Sequence, residues 1–137
     1  NCEHVGVFSG RGILLDSDSS ILHFVNTGLT AQGKSWATDI SADKSELYAQ
    51  NCRFTSSAQN CINISISSSK ADMASSVFTI LGKLGRNIEL VKSSATLKGN
   101  SLTSTFEDSN RHIEPVWYDK DSIILEDKEN SYAYGRP

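Results

Sequence analysis

Residues 20–29, Ser20-Ile21-Leu22-His23-Phe24-Val25-Asn26-Thr27-Gly28-Leu29, are echoed 25 residues on by Ser45-Glu46-Leu47-Tyr48-Ala49-Gln50-Asn51-Cys52-Arg53-Phe54. The pattern returns in Ser69-Lys70-Ala71-Asp72-Met73-Ala74-Ser75-Ser76-Val77-Phe78 and in Ser94-Ala95-Thr96-Leu97-Lys98-Gly99-Asn100-Ser101-Leu102. Its markers Asn1, Asn26, Asn51, Ser75 and Asn100 are spaced by 25, 25, 24 and 25 residues. A serine stands six residues before each later marker, at Ser20, Ser45, Ser69 and Ser94. A repeat of this length is one supersecondary unit that buries its apolar face only by stacking on its neighbours.

The units are strands rather than helices. Ile62, Ile64 and Ile66 alternate with polar residues, as do Ile88 and Leu90, which is the period-two signature of a strand. Ser, Asn, Gly and Asp bound these short runs. Three short strands per repeat predict a coil that winds once per repeat, stacking each turn on the last at about 4.8 Å. Three apolar columns are expected inside it: Leu15/Ile40/Ile64/Leu90, Leu22/Leu47/Met73/Leu97 and Leu29/Phe54/Phe78/Leu102.

Composition agrees with a globular chain. Of 137 residues, 38% are hydrophobic and 21% charged. No apolar run approaches the roughly 20 residues needed to cross a bilayer as a helix, so no membrane insertion is expected. The net charge of -3 and pI near 5.5 argue against nucleic acid as a partner. Nineteen of the 22 serines lie in residues 1–104, a segment with a charge of +1. Residues 105–137 carry -4, both prolines and five of the eleven aromatics. The chain therefore divides near residue 104 into coil (1–104) and a C-terminal cap or oligomerisation segment (105–137). It opens in mid-pattern at Asn1-Cys2-Glu3-His4, which reads as a fragment of a longer protein.

Cys2, Cys52 and Cys61 form neither C-x-x-C nor a zinc spacing with histidine. They are expected as small buried thiols, suited to assembly in a reducing compartment such as a cytosol. Cys2 and Cys52 fall two turns apart, about 10 Å by strand spacing, beyond disulfide reach.

The stretches "SSILHFVNTGL", "KSELYAQNCRF", "SKADMASSVF" and "SSATLKGNSL" resemble the rungs of right-handed parallel β-helices, a group that includes pectate-lyase-like enzymes and phage tailspikes. The resemblance spans residues 1–104, or about four rungs. It implies an all-β, right-handed parallel β-helix, most similar to the distal part of a tailspike. With that come a virion location, a homotrimer closed by the C-terminal segment, and a host cell-surface polysaccharide as partner. Such a trimer would be held through Phe106, Trp117, Tyr118, Ile123, Ile124 and Leu125.

Chemistry is sparser. No nucleophile elbow, P-loop, zinc helix or EF-hand spacing is present, and neither a cofactor nor a metal is expected. Asp18 and Asp43 are one repeat apart and should stand side by side, the arrangement of paired carboxylates in glycoside hydrolysis. They are the candidate catalytic pair, and they also suit corner turns, where Asp is common. Trp36, Tyr48 and His23 are the candidate ligand-binding residues. His23 faces solvent if Leu22 and Phe24 point inward, and Trp36 sits in a loop between rungs. Three functions remain open: a structural and glycan-binding tailspike tip, the C-terminal part of a polysaccharide hydrolase or lyase, and a bacterial adhesin passenger. The three cysteines count against the last.

Overall fold

The structure of the chain, a computed structural model, describes residues 2–105 and 115–135. These residues form strands and turns with no helix, wound into a parallel β-solenoid of about four turns. The first turn is β1 (Cys2–Val7), β2 (Arg11–Asp18) and β3 (Ile21–Val25); the second is β4 (Thr27–Gln32), β5 (Trp36–Asp43) and β6 (Glu46–Gln50). The third is β7 (Arg53–Ser67) with β8 (Lys70–Ala74), and the fourth is β9 (Val77–Val91) with β10 (Ser94–Lys98). Then come β11 (Ser101–Thr105), β12 (Val116–Tyr118), β13 (Ile123–Glu126) and β14 (Ser131–Gly135).

Every ladder is parallel. The first face carries β1-β4-β7-β9-β11-β14, and the third, a separate sheet, carries β3-β6-β8-β10-β13. The second face stacks β2, β5, the later halves of β7 and β9, and β12. It joins the first face through β7 and β9, which run unbroken round the bend. The segment 105–137, expected as a cap or oligomerisation element, adds β12, β13 and β14 to these same ladders. Phe106 lies outside the described residues.

Serine and asparagine make the corners. Two corners per turn each rest on one residue with positive φ: Ser19, Lys44, Ser68 and Lys92 at one, Asn26, Asn51, Ser75 and Gly99 at the other. Only Gly99 is the residue type that adopts this conformation without steric cost. What holds the others is the next residue along. Ser45 Oγ donates to its own chain at Asp43 O (2.8 Å) and accepts the Ser20 N–H (3.1 Å). Ser69, Ser93 and Ser122 repeat the acceptor role, taking the N–H groups of Ser45, Ser69 and Ser93. At the second corner Ser76 accepts the Cys52 N–H, Asn100 the Ser76 N–H and Asn130 the Asn100 N–H. Backbone donors that the corner removes from the strand ladder are thus satisfied from the next rung. Ser93 holds the position expected for Ser94, which instead pairs with Lys70 in the third face.

The core is built from inward columns. Leu29, Phe54, Phe78 and Leu102 align as expected, and the two phenyl rings stack at 5.0 Å. The other two columns need correction. Leu15, Ile40 and Ile64 continue into Ile88, while Leu90 pairs with Ile66. Leu22 and Leu47 continue into Ala71 and Ala95; Met73 and Leu97 belong to the adjacent column with Phe24 and Ala49. From the second turn on, each turn places one large residue and one alanine in the two columns, which keeps the cross-section filled.

A polar column runs through the bend between the first two faces. Asp39, Asn63 and Asn87 are all fully buried. Asn87 Nδ2 donates to Asn63 Oδ1 (2.9 Å), and Asn63 Nδ2 donates to Asp39 Oδ2 (2.9 Å). Ser56 Oγ donates to the same carboxylate oxygen (3.0 Å). Asp39 Oδ1 has no partner, and burial pushes the carboxyl up to about 8 despite the three bonds from Asn63, Ser56 and the Ala31 backbone.

All three cysteines are free. Cys52 and Cys61 are buried, but Cys2 is exposed, contrary to the expectation of three buried thiols. Cys2 pairs with Thr27, whose following residue pairs with Arg53, so Cys2 and Cys52 stand two strands apart. Burial also raises the Cys61 thiol to about 12, leaving it unreactive at neutral pH.

Candidate functional site

The third face positions the first candidate groove. Leu22 and Phe24 turn toward the core, so His23 between them projects outward, and Tyr48 and Asp72 follow it up the same column. The His23 and Tyr48 rings lie 4.7 Å apart at an interplanar angle of 11°. Tyr48 Oη donates to Glu46 Oε2 (3.1 Å), and this bond holds the phenol above its ordinary pKa. Val25, Gln50 and Ala74 form the parallel column alongside. Between them lies a groove of about 220 Å³ floored by the stacked rings and edged by Gln50 and Asp72. The rings turn their faces to one another along the column, so the groove meets their edges beside an amide and a carboxylate, a mixed apolar and polar lining able to seat a polar ring.

Trp36 is not part of that groove. It stands on the second face, at the start of β5, with its indole N–H donating to Thr38 Oγ1 (3.0 Å) and Arg11 5.5 Å above its ring. The three expected ligand-binding residues therefore divide between two surfaces. Trp36 borders a separate groove of about 190 Å³ with Asn60, Leu84, Arg86 and Glu89.

Asp18 and Asp43 are direct partners across β2 and β5. Asp18 is exposed and Asp43 half-buried. Ser19 Oγ donates to Asp18 Oδ1 (3.0 Å), and the Asp43 carbonyl anchors the corner by accepting Ser45 Oγ and the Ser19 N–H. The next position in the column is Ser67, so the carboxylates form a pair and not a longer row.

Among the residues expected at an oligomer interface, Trp117, Tyr118, Ile123 and Leu125 are exposed, the last two by 65% and 62%. Ile124 instead turns inward and packs on the core. Trp117 also stands beneath the Arg86 guanidinium, 5.1 Å from its ring centroid. Among the described residues, no three His, Cys, Asp or Glu side chains come together where they could hold a metal. Among the described residues, no helix is long and apolar enough to cross a membrane.

Arg86 and Glu89 were not visible in the sequence as a pair, because residues three apart on a strand point to opposite sides. Asn87 and Ile88 are both buried, and this double inward step brings Arg86 and Glu89 out on the same side, 2.9 Å apart. The signal that marks it is the recurring polar-Ile dipeptide Asp39-Ile40, Asn63-Ile64 and Asn87-Ile88.

Compared with known protein families, curated proteins and solved structures, the chain matches none.

Proposed function

We propose that this chain is the distal module of a phage tailspike or fibre, a homotrimer that binds a host cell-surface polysaccharide through the outer side of its third face. The observation that carries this reading is the stacked His23–Tyr48 pair, edged by Gln50 and Asp72 on a regular parallel scaffold. Stacked rungs give a stiff rod whose outer columns repeat at the strand spacing, a geometry suited to an extended polymer. The ring edges and Val25 meet the apolar side of a sugar ring while Asp72 and Gln50 meet its hydroxyls. The module sits on the virion, outside the host membrane.

Binding to an array of bacterial surface polysaccharides tests this reading. The chain should be retained by at least one of them, and Tyr48→Ala should weaken that retention by about tenfold, the loss of one aromatic contact. Retention that Tyr48→Ala leaves unaltered would remove the third face from the account.

A second reading, the C-terminal part of a polysaccharide hydrolase or lyase, is favoured by one observation: Asp18 and Asp43 are register partners. Register partners stand about 4.8 Å apart at the backbone, within reach of the roughly 5–5.5 Å that separates the carboxyl groups of retaining enzymes. Cleavage of the bound polysaccharide that is lost in Asp18→Asn and Asp43→Asn would put this reading first. No cleavage by either form leaves the binding module.

A further inference from the structure

The groove on the second face has a different chemistry from the third-face groove. One wall is the Trp36 indole, whose tilt is fixed by its bond to Thr38. The opposite wall is Arg86, held by Glu89 at 2.9 Å and resting over Trp117 at 5.1 Å. Asn60 lines the rim, its amide nitrogen committed to the Ser35 carbonyl at 3.2 Å, and Leu84 follows it in the same column. The guanidinium and carboxylate are about one-third and one-quarter exposed, so both are partly desolvated and both remain reachable. The volume of about 190 Å³ lies below the roughly 300–1,000 Å³ of a cleft for a drug-sized ligand. It suits a single ring.

We infer that this groove is a second saccharide site, taking one neutral hexopyranose unit through the Trp36 ring, the Arg86 donors and the Glu89 carboxylate. The inference rests on the polysaccharide reading for its ligand class alone; the residues and the face are different. At the Arg86 wall, charge selects the neutral sugar. Arg86 is already neutralised by Glu89, so a uronate carboxylate would have to displace Glu89, whereas hydroxyls can donate to Glu89 and accept from Arg86 with the ion pair intact.

Trp36 and Trp117 are the two tryptophans of the chain, and both stand beside Arg86 or its groove. Indole fluorescence therefore reports this face and not the His23–Tyr48 groove. The full chain is titrated with neutral hexose oligosaccharides and with oligogalacturonate. A saturable indole response to a neutral oligosaccharide is expected. Glu89→Gln keeps the side chain's shape but frees the Arg86 charge; it should weaken the neutral ligand about tenfold, the loss of a charged acceptor, and strengthen oligogalacturonate. Trp36→Ala should abolish the neutral response, with circular dichroism checking that it folds. No indole response to any neutral oligosaccharide, a response to oligogalacturonate alone, or a Glu89→Gln variant with both affinities unaltered would each overturn the inference. Failure of the third-face reading shows separately, as array retention that Tyr48→Ala does not change.

Discussion

Asp39 shows how one residue sets a pH dependence for the whole coil. Its carboxyl is held near 8 in the folded chain by burial, against about 3.8 when exposed. A folded pKa raised in this way contributes stability that is complete below the unfolded value and is lost as pH rises through the folded one. Between about pH 4 and 8 the folded chain holds a proton that the unfolded chain has released. Asp39→Asn carries no such proton and extends the Asn63–Asn87 column with a side chain of the same shape. The stability of Asp39→Asn relative to the natural chain should therefore rise with pH, by at most about 1.4 kcal/mol per unit. Urea unfolding at pH 5, 6.5 and 8 measures it, and a difference that does not change with pH would contradict the assignment. Ser45 makes a second residue-scale case. Ser45→Ala removes the acceptor for the Ser20 N–H and should cost about 1–3 kcal/mol. Ser94→Ala, one residue beyond the column of corner serines, should shift the thermal midpoint little.

At the scale of the element, much of the coil was legible because strand stacking forces like residues into register. Leu29, Phe54, Phe78 and Leu102 were readable from spacing, as was the adjacency of Asp18 and Asp43. Columns failed where two neighbouring columns carry similar residues. Ile88 and Leu90 stand two residues apart and both point inward, so only the register shows that Ile88 continues Ile40 and Ile64 while Leu90 follows Ile66. In the third face, Met73 and Leu97 stand two residues beyond Ala71 and Ala95, and the repeat spacing alone does not separate the two inward columns. The structure shows large and small residues exchanging between neighbouring columns. That exchange predicts coupling. Ala71→Leu alone overpacks the third turn and should cost about 1–3 kcal/mol. Adding Met73→Ala recreates the Leu47/Ala49 arrangement of the turn below and should recover a substantial part of the loss. Strictly additive costs in a double-mutant cycle would show that the two columns do not share one space. The grouping of the candidate ligand residues was less legible, since no local pattern tells which of three faces an isolated tryptophan meets.

For the whole molecule, apolar exposure collects toward both ends of the stack. Val5, Val7, Ile21 and Val25 are exposed on the first turn, and Trp117, Tyr118, Ile123 and Leu125 on the strands at the far end. Among the described residues, β1, β2 and β3 pair on one side only, as do β12, β13 and β14. Open strand edges and apolar side chains at the same places favour association. The tailspike reading proposed above answers that exposure with a trimer, and the hydrolase or lyase reading does not call for one. Sedimentation equilibrium of the full chain separates the two most directly. The account predicts a single species of three times 14.9 kDa, shifting toward monomer when Trp117 and Leu125 are replaced by serine. A stable 14.9 kDa monomer across the micromolar range would contradict it and leave the enzyme reading ahead.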